Sequence, residues 1–209
     1  MSLLEFYAAN RGEAAQLALQ HLMLVVLSTG LAVAIGVPLG LLLTRRSALA
    51  RPVLGVTNVI QTIPSLALFG FLIPLPFLGG VGARTAIVAL VLYALLPIVR
   101  NTYTGILGVD PAVREAALGM GMTDGELLRL VELPLAARVI MSGVRVAAVI
   151  GVGVATIAAA IGAGGLGVYI FRGVATVNNT LILAGAVPAA AMALVLDWAL
   201  GRAEVWLAR

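Results

Sequence analysis

Five acids and two arginines fall within residues 110–134, DPAVREAALGMGMTDGELLRLVELP. Asp110, Glu115, Asp124, Glu126 and Glu132, with Arg114 and Arg129, are the densest group of chemically active side chains in the chain. General acid–base work needs two such groups held about a reacting bond, and nucleophilic or metal chemistry needs Ser, Cys or His beside them. The single histidine, His21, is remote in sequence, and there is no cysteine. No Ser-His-Asp set, carboxylate pair or metal-spaced cluster can be assembled, so no catalytic and no metal-binding residue is assigned. All thirteen basic residues are arginine. Without lysine the chain has neither a G-x-x-x-x-G-K-[ST] phosphate loop nor a Schiff-base residue. If nucleotide energy drives this protein, another chain binds the nucleotide. What remains for the acidic stretch is to stay in water and be gripped by a partner.

The surroundings that must hold it are apolar. Hydrophobic residues make up 62% of the chain and charged ones 11%, far outside the range of soluble domains. Several uncharged stretches reach the roughly 20 residues needed to cross a bilayer, and the alternating segments of a β-barrel are absent. The expected fold is an all-α integral membrane protein of about five spans, one transmembrane domain over 1–209. The spans are expected at about His21–Leu43, Val53–Phe77, Ala83–Leu107, Ile140–Ile161 and Leu181–Leu200. Residues 1–20 mix Leu3, Leu4, Phe6 and Tyr7 with Glu5, Arg11 and Glu13, the pattern of an interfacial amphipathic segment. Arg45, Arg46, Arg51, Arg100, Arg114, Arg129, Arg138, Arg145, Arg202 and Arg209 fall on one side of these spans, and Arg11, Arg84 and Arg172 on the other. The bias puts the N-terminus outside, the C-terminus inside and residues 108–139 in the cytoplasm. It also accounts for the basic charge without nucleic acid.

The 108–139 segment reads as two short helices. Asp110 is placed to cap a helix starting at Pro111, Thr123 and Glu126 have capping-box spacing, and Pro134 is expected to end the second helix. In the second span Gln61, Thr62, Pro64 and Ser65 mark an interruption. Either it is a structural kink whose freed carbonyl a Thr or Ser hydroxyl satisfies, or Gln61 and Ser65, on one helical face, line a pathway. Tyr93, mid-span, has the same two readings, packing or pathway. Gly162, Gly164, Gly165 and Gly167 close the fourth span as a packing turn or an outer gate. His21 is expected at the outer interface with nothing to pair it as a metal ligand, and Asp197 beside Trp198 is read as an interfacial pair rather than a proton-relay acid.

Glu115-Ala116-Ala117, then Gly121, then Val131 and Leu133-Pro134 match the spacing E-A-A-x3-G-x9-I-x-L-P, with Val for Ile as the one departure. This resembles the cytoplasmic loop in permease subunits of bacterial ABC importers. The resemblance implies that Glu115, Ala116, Ala117, Gly121, Val131, Leu133 and Pro134 form a coupling helix seated on an ATPase. Five spans resemble the core of the type I importer fold. QTIPSLAL (61–68), LPIVRNTYTG (96–105), GMGMT (119–123) and IGAGGLG (161–167) resemble permeases of osmoprotectant importers, whose substrates are glycine betaine, choline and carnitine. The family implies a multi-pass protein of the bacterial cytoplasmic membrane among lipids. Its implied partners are ABC ATPase subunits holding ATP and Mg, an extracytoplasmic binding protein, and a second permease chain in a homodimer or heterodimer. Importers of methionine, phosphonate or other amines stay open, as does a different class, an ATP-independent channel or membrane scaffold.

Overall fold

A computed structural model describes residues 2–207, so Arg209, counted with the arginine-rich side, lies outside the described residues. Among these residues the regular structure is helical throughout. The first helix, α1, runs Leu3–Arg45. It begins at a capping box in which Glu5 N–H donates to Ser2 Oγ (3.3 Å) and Ser2 N–H to the Glu5 carboxylate (2.9 Å). At a rise of 1.5 Å per residue this 43-residue helix is about 64 Å long, roughly twice the hydrocarbon thickness of a bilayer. The expected 1–20 segment is thus continuous with the first span, with non-helical backbone at Asn10.

Then follow α2 (Ser47–Thr62), α3 (Ser65–Leu72) and α4 (Ala83–Leu107). The pair α2/α3 is bent by 104° at Ile63-Pro64, so the second expected span is broken into two helices. Next come α5 (Pro111–Gly119), α6 (Asp124–Glu126), a π-helical turn (Leu127–Glu132), and α7 (Leu133–Ala158), which ends in a 3₁₀ turn at Ala159–Ile161. The chain finishes with α8 (Gly167–Ala175) and α9 (Asn179–Leu207). Among the described residues four helical stretches, Leu3–Arg45, Ala83–Leu107, Asp124–Ile161 and Asn179–Trp206, are long and apolar enough to cross a membrane, or five if the bent pair is counted as one span.

One expectation is corrected here. Pro134 does not end the second elbow helix; it sits in the first turn of α7, where a missing N–H costs little. The π turn just before it has Leu133 N–H reaching back five residues to the Leu128 carbonyl, so the chain passes from elbow to span without a break.

α4 packs between α1 and α7, and α7 in turn packs on α9. Hydrocarbon solvates leucine as well as protein does, so helix association in a membrane rests on close packing rather than on area removed from water. Small residues allow it. A Cβ on Gly143 would lie 2.6 Å from Asn101 Cβ and 2.7 Å from the Pro97 carbonyl, so α7 backbone lies directly on α4. Gly40 meets Thr102 of α4 equally closely. The largest buried cluster brings Leu24, Phe69, Leu90, Tyr93, Val152 and Ala155 together from α1, α3, α4 and α7, while Leu31, Ile35, Leu194 and Val195 face outward.

Candidate functional site: the elbow, the broken helix and the glycine turn

α7 separates two turns. The elbow, residues 108–132, precedes it and the glycine turn, residues 162–167, comes after it, about 39 Å away by helical rise. At the elbow, Asp110 caps α5 by accepting from Ala112 N–H (2.9 Å), with Pro111 at the first helical position. α5 ends in a Schellman arrangement. Met122 N–H donates to the Ala117 carbonyl (3.2 Å), Gly121 N–H donates to the Leu118 carbonyl (2.9 Å), and Gly121 has φ +87°. A side chain there has open space but a left-handed backbone, which costs a non-glycine residue about 1–2 kcal/mol. Glu126 accepts from Thr123 N–H (2.8 Å) and its hydroxyl (2.7 Å), while Glu126 N–H donates to Thr123 Oγ1 (3.4 Å). These bonds, the backbone N–H first, hold the Glu126 carboxyl below its usual pKa.

Of the residues expected to couple, Ala117 is buried, Val131 and Leu133 are half-buried, and Glu115, Ala116, Gly121 and Pro134 are exposed. Leu133 packs with Ile106, Ala136 and Ile140. Leu118, Met120 and Leu130 present apolar surface beside them. A shallow groove of about 580 Å³ is lined by Thr123, Gly125, Glu126, Leu128, Arg129 and Leu130.

Glu132 carried no assignment from sequence, since it occupies the unspecified position between Val131 and Leu133. It is 1% exposed. Arg45, the last residue of α1, donates from Nη2 to its Oε2 (2.6 Å), and Arg114 Nε of α5 lies 3.2 Å from its Oε1. The second contact is an ion pair by distance without the alignment of a hydrogen bond. Arg114 also donates from Nη2 to the Ile106 carbonyl, in the last turn of α4. The available sequence signal was a carboxylate embedded in an otherwise apolar run leading into a span.

At the broken helix the kink carbonyl is satisfied from another helix. Tyr93 hydroxyl donates to the Ile63 carbonyl, and Gln61 Nε2 donates to the Tyr93 carbonyl (3.4 Å). Thr62, one of the hydroxyls beside the proline, donates to the Val59 carbonyl (2.7 Å). The structure therefore joins Gln61 and Tyr93 across α2 and α4. Ser65, in the first turn of α3, is half-buried, while Thr62 and Pro64 are exposed.

At the glycine turn Gly162, Gly164 and Gly165 all have positive φ, between +75° and +80°, and Gly167 abuts the Thr156 carbonyl so closely that no Cβ fits. His21 is fully buried and bonded to backbone at both ring nitrogens. Leu166 N–H donates to its Nδ1 (3.3 Å), which leaves Nε2–H to donate to the Val152 carbonyl (3.1 Å) and fixes the neutral tautomer. Gln20 accepts from Gly165 N–H (3.2 Å). Glu13 pairs with Arg172 (2.6 Å) and accepts from the Tyr169 hydroxyl (3.2 Å). Asp197 pairs with Arg145 of α7 in a fork of 2.5 and 2.7 Å, while Trp198 lies under Arg202 at 5.6 Å.

A family model described as the binding-protein-dependent transport system inner membrane component matches residues 36–208, taking in both turns and the broken helix. The chain belongs to this transport family. The Salmonella typhimurium protein named osmoprotectant import permease protein OsmW is 48% identical over 209 residues, 99% of this chain and 97% of its own. The choline transport system permease protein OpuBB of Bacillus subtilis is 46% identical, covering 97% of this chain and 92% of its own. An inward-facing structure of the MetNI methionine ABC transporter superposes with TM-score 0.81 at 26% identity, covering 91% of this chain and 94% of that one. The fold is that of the type I ABC importer permeases. As an inner membrane component of a binding-protein-dependent system, the chain works with an ATPase and a substrate-binding protein.

Proposed function

We propose that this chain is the membrane-spanning permease of an ATP-driven importer for quaternary amine osmoprotectants such as glycine betaine, choline and carnitine. The observation that carries the reading is near full-length identity of 44–49% to permeases named for these substrates. The elbow supports the mechanical half of it. A short capped helix with exposed apolar side chains, held to the span ends by buried charge, suits the docking of a water-soluble ATPase.

The arginine distribution supports an elbow in the cytoplasm of a bacterium, with the N-terminus outside and the glycine turn on the outer face. Five crossings enclose little central volume, so the pathway forms between two permease chains, a homodimer or a related pair. ATP and its Mg²⁺ are held by the ATPase, because this chain has no lysine for a phosphate loop. Closure of two ATPases draws the elbows together, and each elbow, moving as a body with α7, reverses the side to which the cavity opens. The broken α2/α3 pair, with Gln61, Thr62, Pro64 and Ser65 and the bracing Tyr93, borders that cavity. The loop carrying Glu115, Ala116, Ala117, Gly121, Val131, Leu133 and Pro134 docks on the ATPase through its exposed residues, with Ala117 and Leu133 packed behind them, and Gly162, Gly164, Gly165 and Gly167 form the outer gate.

The test is ATP hydrolysis by the complex reconstituted in vesicles with its binding protein, supplied in turn with betaine, choline, carnitine and methionine. Stimulation by one or more quaternary amines is the expected result. Stimulation by methionine alone overturns the substrate, and persistent failure to co-purify an ATPase overturns the importer.

A further inference from the structure

We infer that Glu132 is the positioning residue through which displacement of the elbow helix α5 reaches α1, α4 and α7 together. The inference rests on the importer reading and assigns the route within it. Three elements meet at this one carboxylate, and a fourth, α4, is tied in through Arg114. Glu132 itself ends the π turn that enters α7, Arg45 ends α1, and Arg114 belongs to α5 while holding the last turn of α4 through the Ile106 carbonyl. The acid is sealed at 1% exposure, whereas the Arg45 and Arg114 side chains remain 45% and 25% exposed. A buried carboxylate is tolerated only while its positive partners stay on it, so the arginines must follow when it moves and it must follow when they do.

Geometry separates this joint from an ordinary packing contact. Arg114 Nε is buried with no hydrogen bond even though it lies 3.2 Å from the carboxylate, so the pair is close but misaligned in this conformation. Buried donors are rarely left unmet. A rotation of α5 that aligned Nε with Oε1 would complete the pair. The π turn matters because it sets the azimuth of Glu132. An added residue per turn rotates the downstream helix by about 100°, enough to move a side chain from the water face to the interior.

The experiment uses the whole complex, this chain with its co-purifying ATPase and binding protein, in vesicles. Glu132→Gln keeps shape and hydrogen-bonding capacity while removing the charge. Arg45→Gln removes the half-exposed partner and spares the interior. Both variants are expected to assemble with the ATPase in parental stoichiometry and to keep basal ATP hydrolysis within twofold. Substrate-stimulated hydrolysis is expected to fall at least tenfold in Glu132→Gln and several-fold in Arg45→Gln, with Glu132→Asp recovering part of the loss. Stimulation within twofold of the parent in both variants overturns the inference, as does failure of both to assemble, which makes the triad a folding element only. A parental complex without substrate stimulation sinks the importer reading instead, before any variant is compared.

Discussion

The elbow and the glycine turn lie at opposite ends of α7, and both are fastened to α1, but by different chemistry. At the elbow the fastening is ionic: Arg45 and Arg114 on the buried Glu132. At the glycine turn the innermost fastening is neutral: Gln20 and His21 taking backbone N–H groups of Gly165 and Leu166, with the charged Glu13–Arg172 pair left at the rim. Neutral hydrogen bonds are short-ranged and hold one geometry. A buried charge keeps its partners over a wider range of positions, because Coulomb attraction falls off slowly where the dielectric is low. On the proposed function, the difference suits an elbow that transmits movement and a glycine turn that closes in one defined shape.

The strongest way to break the comparison is at Gly121. Its φ of +87° completes the Schellman turn between α5 and the rest of the elbow. Gly121→Asp adds left-handed strain of about 1–2 kcal/mol and a charge on the exposed face proposed to meet the ATPase. Substrate-coupled ATP hydrolysis in vesicles is expected to vanish while the chain still reaches the membrane. Unchanged coupling would remove the elbow from the docking surface.

Next in size is the neutral fastening. His21→Ala strips the Leu166 N–H of its acceptor and opens a void beside Gly165, at a cost of about 1–3 kcal/mol for the unmet donor alone. A lower thermal midpoint of the detergent-solubilised protein is the expected readout, with ATPase assembly intact. If assembly fails and the midpoint holds, the two ends are not separate devices.

Tyr93→Phe probes a third fastening, neutral like the glycine turn but at the broken helix. It orphans the Ile63 carbonyl, costing about 1 kcal/mol, since a kink carbonyl can draw on water if the cavity reaches it. Transport is expected to fall more than stability. Equal small losses in both would mark the residue as packing alone. Smaller again is Glu13→Gln at the rim, where both partners are roughly half exposed. The midpoint is expected to move by less than about 1 kcal/mol equivalent, and less still in high salt.

Much of this was readable from residue order. The third span begins and ends at the predicted Ala83 and Leu107, and both elbow caps form as Asp110-Pro111 and Thr123–Glu126 imply, because spans and caps are local properties. What stayed hidden depends on contacts distant in the chain. His21 acquires its partners 131 and 145 positions away, and Glu132 finds Arg45 at a separation of 87. No periodicity encodes such meetings. Pro134 misled for a different reason: the π turn moves it into a first-turn position, so a residue that stops an ordinary helix opens this one.

The smallest effect belongs to the exposed cap of the elbow, and its pH dependence separates it from the buried joint. Bonds from Thr123 hold the Glu126 carboxyl below its ordinary value. A group depressed on folding contributes stability that is fully present above its unfolded pKa and is lost as pH falls through its folded one. Glu126 therefore helps hold the second arm of the elbow at neutral pH and lets go only in acid below the usual carboxylate range. Glu126→Gln keeps a side-chain acceptor for the cap. Substrate-stimulated hydrolysis at neutral pH is expected to stay close to parental, while acid-induced fraying of the elbow, followed by hydrogen exchange at residues 123–127, loses its dependence on pH in this range. A large loss of coupling at neutral pH in this variant would place the ionic control of the elbow at its surface, and the contrast between a charged elbow joint and a neutral glycine turn would have to be redrawn around Glu126 instead of Glu132.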